Sequence, residues 1–139
     1  MIKKVSSVLG FACLFILGAP TNGYSDSLPA NVGRLTNGGY EGCVTRGFGI
    51  TNTCPYQVTV LLPAQSRAAG YWTFNATAQN SPDCYIYGED YNGNNQFYGY
   101  ARPNGRASLG RFYVYSNTVL FYACNLQQNQ SVLSVDWTQ

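Results

Sequence analysis

The chain contains no histidine, and its only lysines, Lys3 and Lys4, stand among the first four residues. Without imidazole there are no Ser–His or Cys–His nucleophilic sites. Once a leader carrying both lysines is removed, there are no Ser–Lys sites either. Zinc loses its usual nitrogen ligand, and the cysteine spacings do not match a zinc site. No G-x-G-x-x-G or Walker loop occurs. Charge is also scarce. Over residues 26–139, Arg34, Arg46, Arg67, Arg102, Arg106 and Arg111 are balanced by Asp26, Glu41, Asp83, Glu89, Asp90 and Asp136. A net charge of zero argues against nucleic acid, whose affinity rests on many phosphate neutralisations. It argues equally against a polybasic membrane contact. The longest apolar run, Val8 to Ala19 (VLGFACLFILGA), is well short of the roughly 20 residues that span a bilayer, so no membrane insertion is expected.

That run follows the positive Lys3 and Lys4 and precedes the small residues Gly23 and Ser25, the pattern of a secretory signal. The expectation is a signal peptide over 1–25, an N-terminal arm over 26–38 and a folded domain over 39–139, in an exported protein. A domain of that length buries about two thirds of its unfolded surface. Cys43, Cys54, Cys84 and Cys124 remain after cleavage. An even number in a short exported chain reads as two disulfides with three possible connectivities. The pairing Cys43–Cys54 with Cys84–Cys124 is favoured, and the chain-entropy model assigns such loops about 3 and 4 kcal/mol.

Strand signals recur at short intervals from Gly39 onward, at 40–46, 56–62, 70–77, 84–87, 96–102, 110–115, 118–124 and 131–137. The gaps hold turn chemistry: Pro55, Pro63, Ser81-Pro82, Asn92-Gly93, Pro103-Asn104-Gly105 and Ser116-Asn117. Residues 64–70 (AQSRAAG) offer at most one helical turn. The expected fold is all-β, a small antiparallel β-sandwich of about eight short strands with two disulfides. The arm at 26–38 (DSLPANVGRLTNG) has no periodicity and reads as loosely packed. The segment Gly49 to Val60 (GITNTCPYQVTV) resembles the opening strand of thaumatin-like proteins, with their apolar-x-Asn-x-Cys-Pro-Tyr-x-Val pattern. Over these twelve or so residues the resemblance implies a strand, a turn and a bridged cysteine. It carries no function, because that family's dense cysteines and acidic-cleft motifs are missing.

The stretch from Cys84 to Cys124 holds most of the tyrosines. Period two places Cys84 and Ile86 on one face and Tyr85 and Tyr87 on the other. In the same way Phe97 and Ala101 oppose Tyr98, Tyr100 and Arg102, while Phe112 and Val114 oppose Arg111, Tyr113 and Tyr115. If the three runs are adjacent antiparallel strands, one sheet face is nearly all tyrosine with two arginines. Such a face offers rigid apolar rings with polar tips. The leading expectation is therefore a secreted, non-catalytic module that recognises a glycan or an extracellular surface, with those six tyrosines, Arg102 and Arg111 as ligand-binding residues.

Three readings compete with it. The tyrosines could be ordinary sheet packing, or the face could serve a secreted interaction factor that docks on a protein (an inhibitor, toxin subunit or effector). Glu89 could also join Asp83, Asp136 or Glu41 as a glycosidase pair, which needs carboxyls about 5–10 Å apart. Trp72 and Trp137 could be core or platform. Asp90-Tyr91-Asn92-Gly93-Asn94 imitates the start of a calcium loop. Asn95 and Ala101 then stand where an EF-hand needs glycine and glutamate, which leaves only a looser site from Glu89, Asp90 and Asn94. No metal or cofactor is expected. Asn75-Ala76-Thr77 and Asn129-Gln130-Ser131 match the N-glycosylation pattern.

Overall fold

The computed structural model describes residues 25–36, 38–64 and 68–139. The expected signal peptide, except Ser25, lies outside these residues, as does the middle of the helical turn expected at 64–70. The strands are β1 (Ser25–Pro29), β2 (Arg34–Leu35), β3 (Val44–Arg46), β4 (Ile50–Asn52), β5 (Val58–Ala64), β6 (Gly70–Gln79), β7 (Asp83–Glu89), β8 (Asn95–Ala101), β9 (Gly105–Val114), β10 (Val119–Leu126) and β11 (Ser131–Thr138). All pairings are antiparallel. One sheet runs β3-β4-β11-β6-β9, with β1 also on β11, and the other runs β2-β5-β10-β7-β8. Together they form the sandwich.

Alternation along the strands builds the core. Val58, Val60 and Leu62 of β5, Ile86 of β7 and Leu120, Tyr122, Cys124 and Leu126 of β10 point inward from one sheet. They meet Trp72, Phe74 and Ala76 of β6 and Val135 and Trp137 of β11. Both tryptophans are therefore core. Tyr122 is fully buried, and its hydroxyl donates to the Asp136 carbonyl at 3.0 Å, as a buried phenol requires. The bridges are Cys43–Cys54 and Cys84–Cys124, the favoured pairing. Cys84 and Cys124 are directly opposite each other on β7 and β10.

Several boundaries differ from the sequence reading. Residues Gly38–Cys43 form a 3-10 helix, so the strand expected at 40–46 is only β3. An additional strand forms at β4, pairing with β3 and β11. Asn52 ends β4 and organises the turn that follows. Its side chain is fully buried, donates to the Tyr56 and Leu126 carbonyls at 2.6 and 2.9 Å, and accepts from the Cys54 amide at 2.9 Å. The strand, turn and bridged cysteine implied by the Gly49–Val60 resemblance are all present. The arm at 26–38 holds two strands: β1 lies along β11, β2 pairs with β5, and Ala30 between them is fully buried. Backbone pairing supplies order there that side-chain periodicity does not reveal.

The largest difference is at the β8–β9 corner. After β8 the chain turns at Pro103-Asn104-Gly105, with Gly105 at φ +98°, and enters the other sheet, where β9 pairs with β6. The two strands face each other across the interior instead of sharing an edge. Phe97 of β8 stacks on Phe112 of β9 with ring centres 4.7 Å apart and planes 6° from parallel. A Cβ on Gly99 would lie 2.2 Å from the Leu109 carbonyl oxygen, so only glycine permits this approach.

Candidate functional site

β7 and β8 pair so that Tyr85 is opposite Tyr100 and Tyr87 opposite Tyr98. All four rings stand on the outer face, because Cys84, Ile86 and Gly99 at the intervening positions are buried. Ring centres lie 5.1 Å apart for Tyr85–Tyr100, 5.3 Å for Tyr87–Tyr98 and 5.8 Å for Tyr85–Tyr98. These are the spacings of favourable offset aromatic contacts. The neighbouring strand β10 adds Phe121, 6.3 Å from Tyr87. Tyr98 and Tyr100 remain 48% and 45% exposed, and Tyr85 and Tyr87 are half-buried beside them.

Polar groups border the rings. The Tyr100 hydroxyl donates to Asp83 Oδ1 at 2.7 Å, and Arg102 Nε lies 3.2 Å from the same oxygen. The bond to Asp83, together with desolvation, raises the Tyr100 pKa above the ordinary phenol value. Desolvation, aided by neighbouring phenols and Asp83, does the same for Tyr98, and desolvation with Tyr85 does so for Tyr87. These three hydroxyls are therefore neutral, donor-competent groups throughout the physiological range.

Arg111, Tyr113 and Tyr115 do not join this cluster. Because β9 belongs to the other sheet, they face away on the opposite side of the sandwich, and the single face with two arginines is replaced by two aromatic faces. On that second face Tyr113 packs edge-on against Tyr71 at 5.2 Å and against Tyr115 at 4.9 Å, and the Arg111 guanidinium sits 5.3 Å above the Tyr71 ring. Sequence reasoning missed Phe121, Leu61, Pro63 and Arg34 beside the first cluster. The parity of the 118–124 run sets Phe121 opposite buried Tyr122, but only the β5-β10-β7 pairing brings it to the tyrosines.

The carboxylates are dispersed. Asp83 and Glu89 are six residues apart on one strand, about 20 Å at the usual rise, well outside glycosidase spacing. Asp136 belongs to the other sheet, held by Arg106 at 2.6 Å and Asn75 at 3.0 Å. Glu41 pairs with Arg46 at 3.0 Å. The carboxylate of Asp90 accepts from the amides of Asn92 and Asn94 and from the Asn94 side chain, at 2.8–2.9 Å. The side-chain bond from Asn94 is the main cause of its lowered pKa. The loop is thus closed on its own donors. No cluster of three or more metal-ligating side chains occurs among the described residues. No helix among them is long and apolar enough to cross a membrane.

No protein-family model and no curated protein matches the chain. Solved structures do match over 81% of it. An Arthrobacter globiformis T6 isomalto-dextranase complexed with panose aligns with a TM-score of 0.51 at 9% identity, the match covering 23% of that enzyme. A Podospora anserina GH26-CBM35 β-(1,4)-mannanase aligns with a TM-score of 0.50 at 12% identity, covering 27% of that protein. The likeness is one of fold. The chain spans about a quarter of the length of either protein.

Proposed function

We propose that the protein is an exported, non-catalytic carbohydrate-binding module whose site is the face formed by Tyr85, Tyr87, Tyr98, Tyr100 and Phe121. One observation carries this reading: Tyr98 and Tyr100 are nearly half exposed at 48% and 45%, although they sit within a packed set of rings. Sugar rings present C–H faces that pack on aromatic planes. Their hydroxyls find acceptors and donors in Asp83, Arg102 and the tyrosine hydroxyls at the border. The fold likeness adds support, since both similar structures carry carbohydrate-active names and the chain matches only a module-sized part of each. The dispersal of Asp83, Glu89 and Asp136 favours binding over hydrolysis. Two disulfides and the N-terminal apolar run support an extracellular or periplasmic setting.

Co-sedimentation with a panel of insoluble polysaccharides tests the proposal. Wild-type protein should be retained by at least one of them, and the Tyr98→Ala/Tyr100→Ala variant should be lost from it while keeping its fold. Retention by none, or equal retention of the variant, defeats the reading.

A further inference from the structure

Strand register lays the outer side chains of the β2-β5-β10-β7-β8 sheet in rows that run across the strands. One row is Pro63–Phe121–Tyr87–Tyr98, and the next is Arg34–Leu61–Ala123–Tyr85–Tyr100. At 4.7–4.9 Å per strand step the rows extend about 14 and 19 Å, from edge strand β8 toward edge strand β2. Ala123 contributes only a methyl group between Leu61 and Tyr85. A trough of about 660 Å³ opens over it, with Phe121, Leu61 and Pro63 as apolar floor and Glu89 and Arg34 at its margin. On the other side of the apolar rows runs a polar one, Thr59–Asn125–Asp83, in which the Thr59 hydroxyl donates to Asn125 Oδ1 at 2.7 Å.

We propose that this face grips the interior of a neutral, extended polysaccharide chain lying across the strands. The inference rests on the carbohydrate-binding reading and specifies its ligand. An apolar stripe with a polar row along one side and Glu89 on the other suits a linear polymer of sugars, with C–H faces down and hydroxyls to the sides. A single terminal sugar would cover only part of the stripe. Charge selects neutrality. Among the described residues the face carries Asp83 and Glu89 against Arg34 and Arg102, and Arg102 is already joined to Asp83 at 3.2 Å. With Asp83 and Arg102 paired, Glu89 and Arg34 remain, one of each sign, so these residues offer no surplus of cations to a polyuronate that brings a carboxylate with each sugar.

Calorimetric titration with cello-, manno- and isomalto-oligosaccharides of graded length, their borohydride-reduced forms and polygalacturonate tests this. Affinity for one neutral series should climb with length and then level, should not depend on reduction of the chain end, and should exceed that for polygalacturonate. Phe121→Ala should weaken the longer oligosaccharides roughly thirtyfold and the disaccharide little. Leu61→Asp, at an exposed floor position, should do likewise should the Phe121 variant unfold, with urea melts reporting the fold of each. Length-independent affinity, preference for polygalacturonate, or full binding by a folded floor variant overturns this inference and leaves the carbohydrate-binding reading standing. Binding of no saccharide at all overturns both.

Discussion

At the scale of single residues, the tyrosines divide into those that hold the fold and those available to a ligand. Tyr122 is fully buried between Phe74 and Trp137 with its hydroxyl satisfied, whereas Tyr98 and Tyr100 touch solvent. In urea melts Tyr98→Ala and Tyr100→Ala should each stay within about 0.5 kcal/mol of wild type, the usual range for surface changes. Tyr122→Ala should lose about 3–5 kcal/mol. If Tyr98→Ala collapses stability as Tyr122→Ala does, the outer rings are packing and not a platform. The pH response belongs at this scale too. There is no histidine, and Tyr87, Tyr98 and Tyr100, shifted upward, stay protonated between about pH 5.5 and 8. Glycan affinity measured by calorimetry should therefore be nearly flat across that interval. The Asp90 turn responds on the acid side. Its folded pKa lies below the unfolded value, so the stability it contributes is present above the unfolded pKa and is lost as pH falls through the folded one. NMR titration of the Asp90–Asn94 turn should show it intact at pH 5 and loosening only below the ordinary carboxylate range. A transition near pH 6 would contradict that assignment.

Among the elements, the two disulfides brace different things. Cys84–Cys124 ties β7 to β10 in the middle of the sheet that bears the aromatic face, with both cysteines fully buried. Cys43–Cys54 ties the 3-10 helix before β3 to the turn after β4, and Cys54 is partly exposed. Dithiothreitol under native conditions should reduce Cys43–Cys54 first, because thiol exchange needs access to the sulfur. Peptide mapping after brief exposure reads the order, and prior loss of Cys84–Cys124 would refute it. The longer closed loop also implies the larger stability cost for Cys84→Ala/Cys124→Ala, about 4 kcal/mol against about 3 for the other pair. How legible each element was follows from its pattern. Strands β5, β6, β7 and β10 alternate strongly and were readable. β4 and the arm strands β1 and β2 are too short, or too interrupted by Pro29 and Gly33, to show a period, and they form because a neighbour offers an unpaired backbone edge.

For the whole molecule, the division of the tyrosines between two opposite faces has a direct consequence. Tyr113→Ala/Tyr115→Ala alters the side built on β6 and β9, so affinity of the proposed glycan site should match wild type while Tyr98→Ala/Tyr100→Ala abolishes it. Equal losses from both pairs would mean a ligand that wraps the sandwich, or a site elsewhere. The N-terminal arm bears on the whole as well. β1 lies along β11 from Ser25↔Thr138 to Pro29↔Ser134, so a mature chain beginning near Asp26 would keep nearly all of that pairing.

By itself the sequence determined the all-β class, the presence of two disulfides and which side chains share a face along each tyrosine-bearing strand. These follow from period two, turn residues and cysteine count, all of which are local. The fold settled which cysteines pair. Which outward faces coincide was decided only by the tertiary structure. The β8–β9 turn at Gly105 and the close approach of Gly99 to Leu109 send β9 into the other sheet, so Arg111, Tyr113 and Tyr115 leave the cluster they would have joined had the three runs been adjacent strands. Pairing of β10 between β5 and β7 brings Phe121, Leu61 and Pro63 into it instead. Strand order depends on contacts far apart in the chain, and alternation along one strand carries no information about its neighbour.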